Sequence, residues 1–232
     1  MTFAAIVVAA GRGVRFGRPK QLVEVAGKPL VAWSFATFDA MEELGDLVVA
    51  TEPDYVAEME ALARVHAPRL HTTLVCGGAT RQHSVANALA AVPLHCDAVL
   101  IHDGARPLVL AADVRAGMAA TSVGTGALLA APVVDTVKVV ASDARTVVRT
   151  LPRAELWAAQ TPQFGTLADL RAAHEAAARA GIDLTDDAAL LEAAGIRVVV
   201  VRASAENFKV TLAGDRALAE TILHERLATS AP

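Results

Sequence analysis

The chain of 232 residues is poor in aromatics and cysteine, and basic charge is not in excess. Phe, Trp and Tyr account for 4% of it, whereas hydrophobic residues account for 54% and include much alanine. Such a composition builds a large core of closely packed helices around strands. The formal net charge is −4, which argues against a general nucleic-acid or membrane-coating surface. The two cysteines, Cys76 and Cys96, form neither a C-x-x-C pair nor a disulfide framework, so both are expected as buried free thiols. No apolar run reaches the length of a membrane span. The apolar start lacks a basic leader and runs into Gly11 and Arg12, so it reads as a first buried strand rather than a signal peptide. Internal repeats, low-complexity linkers and domain boundaries are also missing, which leaves one domain over residues 1–232.

Several familiar catalytic motifs are absent too. There is no G-x-x-x-x-G-K-[ST] phosphate loop, no H-E-x-x-H zinc motif and no G-x-S-x-G nucleophile elbow. The first glycine loop reads G-x-G-x-x-x-G, one residue too long for a dinucleotide fingerprint, and the acidic residue expected about 20 positions on is missing.

What is present is a regular alternation. Residues 3–9, 46–51, 71–75, 97–101, 126–131 and 197–202 read as strands. Residues 29–42, 53–65, 81–92, 111–121, 166–180, 186–194 and 213–228 read as helices. Short, continuous Val/Ile/Leu strands between helices predict an α/β fold: a Rossmann-like, mostly parallel sheet with helices on both faces. Such sheets bind ligands at the carboxyl ends of their strands, here the loops after residues 9, 75 and 101. Residues 133–160 break the rhythm and predict an inserted β-hairpin, either an ordinary edge hairpin or an arm reaching a second subunit.

Chemistry concentrates after the first strand, in Ala9–Gln21. Its glycines let backbone N–H groups approach phosphate oxygens, and Arg15 and Lys20 add the cations a triphosphate requires. Residues 12–28 hold five basic residues and one acid, in a chain that is acidic overall.

The A-A-G-x-G-x-R-x-G-x-P-K-Q signature resembles the sugar-phosphate nucleotidyltransferases. Within them, the chain is similar to the methylerythritol-phosphate cytidylyltransferases of the non-mevalonate isoprenoid route. Further blocks carry the likeness in order: Gly77–Val85, His102–Pro107, Ala131–Lys138, Leu156–Phe164, Thr185–Asp187 and Asn207–Thr211. Thr80 and His83 stand where family members often have Glu and Asp, and Ala79 replaces an Asp seen in some relatives, so no side chain at these positions is assigned to catalysis.

The resemblance implies transfer of a cytidylyl group from CTP, with Mg²⁺, to 2-C-methyl-D-erythritol 4-phosphate. It implies catalysis by Arg15, Lys20 and Lys209, and nucleotide binding by Ala9, Ala10, Gly11, Gly13, Gly77, Gly78, Ser84, Asp103 and Gly104. Asp103 is also the candidate metal residue, directly or through water. The acceptor falls to Arg106, Thr136, Arg153, Thr185 and Lys209. A cytoplasmic homodimer is implied, with the arm crossing into the partner's site. Two alternatives are a pentitol-phosphate (ribitol 5-phosphate) cytidylyltransferase and a non-catalytic nucleotide-binding module. The Gly104-Ala105 pair before Arg106 favours methylerythritol phosphate, because pentitol-type relatives tend to carry a larger residue there. Ser84, Thr185 and Lys209 also have plainer readings, as two helix caps and a partner for a nearby acid.

Overall fold

The computed structural model describes residues 1–11 and 19–229. Its first half contains β1 (Phe3–Val8), β2 (Glu24–Val25), β3 (Lys28–Pro29), α1 (Leu30–Asp39), β4 (Leu44–Thr51), α2 (Val56–His66), β5 (His71–Cys76), α3 (Arg81–Ala91) and β6 (Ala98–Asp103). Then follow α4 (Ala111–Ala120), β7 (Thr125–Pro132), β8 (Lys138–Val140), β9 (Val147–Thr150), β10 (Trp157–Thr166), α5 (Leu167–Ala180), α6 (Asp187–Ala193), β11 (Arg197–Arg202) and α7 (Ala213–Thr229).

Among the described residues, seven strands form the main sheet in the order β11-β7-β10-β6-β1-β4-β5. β1 pairs in parallel with β4 and β6, β4 with β5, and β7 with β11. β10 runs antiparallel to its neighbours, β6 and β7. The expected α/β architecture and all six expected strands are therefore present.

The central strands β1, β4, β6 and β7 are largely apolar because both sheet faces are covered. Phe3, Ala5 and Val7 pack with residues of α1, α2 and α4, whereas Ala4 and Ile6 pack with α3, α5 and α6. Each fully buried Val, Leu or Ile contributes roughly 1.5–3 kcal/mol through removal from water. α7 makes a smaller core, with Ala219 and Leu223 against Val25, Leu30 and Trp33. That core covers the β2–β3 hairpin, whose turn places Ala26 and Gly27 at positive φ.

Within the main sheet, β10 is the strand that patterning does not reveal. Its sequence, Trp-Ala-Ala-Gln-Thr-Pro-Gln-Phe-Gly-Thr, has no β-branched run and contains Pro162 and Gly165. Its pairing with β7 slips between Ala159 and Gln163, the irregular stretch that tolerates a proline. Residues 157–160 of the expected hairpin segment thus belong to the main sheet. The hairpin itself is the separate pair β8–β9, joined antiparallel.

Cys96 is buried as expected, but Cys76 is exposed. It ends β5, the last strand at one edge of the sheet. No helix among the described residues is long and apolar enough to cross a membrane.

Candidate active site

β1, β4, β5 and β6 deliver their carboxyl ends side by side. Backbone hydrogen bonds tie the following residues together: Ala9 N–H to the Ala50 carbonyl (2.7 Å), Gly77 N–H to Thr51 (2.8 Å) and Gly104 N–H to Val8 (3.0 Å). Beside them opens a cavity of about 790 Å³, whose walls include Ala10, Gly11, Lys20, Gly78, Asp103 and Lys209.

Two glycines shape one wall by having no side chain. A Cβ on Gly77 would lie 2.2 Å from that of Ala10, and one on Gly78 would lie 2.3 Å from that of His83. The loops after β1 and β5 can approach each other only with glycine there. Ser84 holds the second loop: Gly78 N–H donates to its Oγ at 3.0 Å, and its hydroxyl donates to the Thr80 carbonyl at 2.9 Å. The N-cap of α3 is Thr80, which accepts the His83 N–H at 3.2 Å. Ser84 still lines the cavity.

Asp103 closes β6 and is the electrostatic centre. Its Oδ1 lies 3.1 Å from Arg81 Nε, its Oδ2 lies 2.7 Å from Lys209 Nζ, and Arg106 Nε stands 4.0 Å away. Burial alone would raise its pKa, but Arg81, Lys209 and Arg106 outweigh that and hold the carboxyl well below the usual range.

The backbone behind Asp103 is locked from below. Asp103 N–H donates to Thr161 Oγ1 at 3.0 Å, and that hydroxyl meets His102 Nδ1 at 3.1 Å. His102 Nε2 lies 3.0 Å from the Arg106 carbonyl, which requires its proton there and leaves Nδ1 to accept from Thr161. Lys209 is placed by its own block: Val210 N–H donates to the Ala105 carbonyl at 2.9 Å. Asn207 Nδ2 donates to the Thr161 carbonyl at 2.8 Å, and Arg106 Nη1 to the Asn207 carbonyl at 2.7 Å.

The expected site residues thus separate into groups. Ala10, Gly11, Lys20, Gly77, Gly78, Ser84, Asp103 and Lys209 line the cavity. Ala9, Gly104 and Arg106 stand behind it: Ala9 is buried, Gly104 would place a Cβ 3.2 Å from the Val8 carbonyl oxygen, and Arg106 braces Asn207. Thr136 and Arg153 are exposed on the hairpin segment, where Arg153 Nη1 donates to the Val134 carbonyl at 2.9 Å. Thr185 is exposed before α6, whose cap is Asp186. Gly13 and Arg15 lie outside the described residues.

Three residues were not picked out by sequence reasoning. Arg81 lines the cavity, and its Nη2 lies 2.8 Å from Asp187 Oδ2; His174 Nε2 lies 3.3 Å from Asp187 Oδ1. Their signals were the Arg in the Gly77–Val85 block and the second Asp in Thr185–Asp187. His174 had no usable signal.

A potential metal-ligand trio among the described residues, Asp46, His95 and Cys96, lies elsewhere. Asp46 pairs with Ala4 near the start of β1, away from the strand ends that carry the cavity. His95 Nε2 lies 2.8 Å from Asp46 Oδ2, and burial and Asp46 push the Cys96 thiol up to about 11. These three groups already satisfy one another.

Over nearly its whole length the chain is similar to proteins of one family. The sequence model of 2-C-methyl-D-erythritol 4-phosphate cytidylyltransferase matches residues 3–225. The enzyme of that name from Halalkalibacterium halodurans is 39% identical over 228 residues, which cover 97% of this chain and 99% of the relative. The one from Gloeobacter violaceus is 39% identical over 224 residues, 96% of each chain. The crystal structure of 2-C-methyl-D-erythritol 4-phosphate cytidylyltransferase from Thermus thermophilus superposes with a TM-score of 0.76 at 32% identity, covering 94% of this chain and 98% of that one. The 4-diphosphocytidyl-2C-methyl-D-erythritol synthase of Anaerococcus prevotii gives 0.84 at 25% identity, with 96% of each chain covered.

Proposed function

Because the chain belongs to the 2-C-methyl-D-erythritol 4-phosphate cytidylyltransferase family, we propose that the cavity at the ends of β1, β4, β5 and β6 is where its cytidylyl transfer takes place. The enzyme converts CTP and 2-C-methyl-D-erythritol 4-phosphate to 4-diphosphocytidyl-2-C-methyl-D-erythritol and pyrophosphate, a step of isoprenoid precursor synthesis. The observation that carries the siting is the meeting, in one cavity, of Lys20, the bare backbone of Gly77 and Gly78, and the Asp103–Lys209 pair.

An acceptor phosphate oxygen attacks the α-phosphorus of CTP, and the bond to the pyrophosphate oxygen breaks on the opposite side. A phosphate dianion needs no general base, so the work is to bring two anions together and neutralise the charge of the transition state. Lys20 and Arg15 take that charge on the α-phosphate and the leaving pyrophosphate. Backbone groups of residues 9–11 and 76–78 read the cytosine edge, whose N4 amino group donates while O2 and N3 accept. Lys209, with its ammonium on Asp103, receives the acceptor phosphate together with Thr185, while Arg106, behind the cavity wall, adds its positive charge and holds the segment that carries Lys209.

Mg²⁺ is the cofactor of this reading. Asp103 and Glu52 are the carboxylates among the described lining residues, and Asp103 is already held by cations. Asp103 would hold the ion, directly or through water, with Glu52 as the other carboxylate within the lining. When bound, it supplies charge neutralisation on the triphosphate. The working form in this reading is a homodimer in which Thr136 and Arg153 of the hairpin segment serve the partner's cavity. Val134, Val148 and Trp157 support it, being 78%, 63% and 40% exposed in the single chain. We place the enzyme in the cytoplasm, where CTP is made and free thiols such as Cys76 and Cys96 stay reduced.

Pyrophosphate release tests the assignment. CTP with methylerythritol phosphate is expected to turn over far faster than UTP or ATP with the same acceptor. Each mismatched buried hydrogen-bonding group costs about 1–3 kcal/mol. Equal kcat/KM for ATP and CTP removes the proposed base reading. Faster turnover of ribitol 5-phosphate than of methylerythritol phosphate moves the acceptor to the pentitol type, and no turnover at all leaves only a binding module.

A further inference from the structure

A continuous line of polar and charged side chains runs from the buried interior to the cavity: His174, Asp187, Arg81, Asp103 and Lys209. Consecutive members approach to 3.3, 2.8, 3.1 and 2.7 Å. They come from five separate places in the chain: α5, the start of α6, the start of α3, the end of β6 and the segment before α7. Resting on the site reading above, we infer that Asp187 and Arg81 are positioning residues, which fix the Asp103 carboxylate and so set where the Lys209 ammonium stands in the cavity.

Asp187 is fully buried, and its backbone N–H donates to Gln163 Oε1 at 2.9 Å. The neighbouring Ala188 N–H donates to the same oxygen at 2.8 Å, while Gln163 Nε2 donates to Asp186 at 2.8 Å. The start of α6 therefore cannot shift without breaking three bonds to β10. The chain before it is strapped to α3, because Gln82 donates to the Ile182 carbonyl at 3.0 Å and accepts from Leu184 N–H at 2.9 Å. Asp187 is thus a fixed anion beneath a long, rotatable side chain, an arginine at the first position of α3.

Arg81 then joins two carboxylates, Nε donating a hydrogen bond to Asp103 and Nη2 forming an ion pair with Asp187. A guanidinium can do this because its donors form a rigid planar fork; a lysine has one nitrogen and must choose. With Oδ1 of Asp103 taken by Arg81, Oδ2 is left facing Lys209. The order of burial gives the direction of control: Asp187 is sealed, whereas the Lys209 side chain is 38% exposed and open to a ligand. Burial would raise the Asp187 carboxyl, but Arg81 and His174 outweigh it, so the anchor stays ionised. Without Asp187, Arg81 is free to take both oxygens of Asp103 and displace Lys209.

The test is a mutant cycle on kcat/KM. Asp187→Asn keeps the side-chain shape and removes the charge, and is expected to lower kcat/KM by about 10- to 100-fold, the cost of a misplaced group. In a Lys209→Ala background the same change is expected to cost only about twofold, because there is no ammonium left to misplace. Arg81→Lys should behave alike, and it answers the same question if Asp187→Asn does not fold. Equal fold losses with and without Lys209 contradict the inference, since general loosening of the site multiplies in both backgrounds. So does parent-like activity of both folded variants. If Lys209→Ala alone is as active as the parent, the siting of the reaction fails first, and the positioning role goes with it.

Discussion

His102 has no solvent contact, and its burial pushes the pKa down to about 4 against the pull of the Arg106 carbonyl and Asp103. It is therefore neutral at pH 7 and able to hold the single tautomer that locks Thr161 and the Asp103 backbone. An unfolded histidine titrates near its ordinary value of about 6.5. Between that pH and about 4 the unfolded chain binds a proton that the native chain refuses. Native stability is accordingly complete above the upper limit and falls as pH drops through the window, by up to about 1.4 kcal/mol per pH unit. His66, lowered by partial burial and Lys28, adds in the same direction, whereas the depressed Asp103 and Asp187 lose their contribution only at lower pH. Urea midpoints for the parent and for His102→Gln between pH 7.5 and 4.5 check this. The variant is expected to lose most of the slope, and an unchanged slope places its source elsewhere. At this scale the sequence revealed Lys20, Asp103 and Lys209, because each lies inside a dense motif. It did not reveal the bridge from Arg81 to Asp187, whose partners are far apart in the chain and meet only when α3 and α6 pack on the same sheet face.

The element scale explains both the successes and the omissions of pattern reading. β1, β4, β6 and β7 are covered on both faces, so they appear as uninterrupted apolar runs that need no periodicity to recognise. β10 has alanines, a proline and a glycine in their place and is a strand only because β6 and β7 pair with it on either side. The glycine loop after β5 was legible, but its reason was not: Gly77 is required by Ala10, a residue far back in the chain at the end of another strand. Gly77→Ala is expected to push the two loops apart, costing roughly 1–3 kcal/mol of stability as overpacking does. It should weaken CTP binding more than acceptor binding, because the proposed cytosine wall moves while the Asp103–Lys209 pair does not. Calorimetric titration with CTP, alongside a melting curve, checks both parts. Unchanged CTP affinity in a folded variant contradicts the role given to this wall.

For the whole molecule, the proposed site residues of one chain do not all meet in one cavity. Lys20, the two glycine-walled loops, Asp103 and Lys209 surround one cavity, while Thr136 and Arg153 are exposed on the hairpin segment and do not line it. β8 and β9 make a two-stranded sheet of their own, and such a pair is marginal in water unless something covers it. Val140, Val147 and Val148 are left exposed on it. In the proposed homodimer, a second copy related by a two-fold axis would supply both the cover and the missing half-site. The direct test is complementation. Lys20→Ala, which removes the proposed transition-state donor, should lose about 10²–10³ in rate or more. Arg153→Ala should be disabled through the acceptor. When the two are mixed under conditions that exchange subunits, a mixed dimer gathers both lesions into one cavity and leaves the other whole, so part of the parent activity should return. If mass measurement confirms the mixed dimer and activity stays at the sum of the two mutants, the site is not shared between chains.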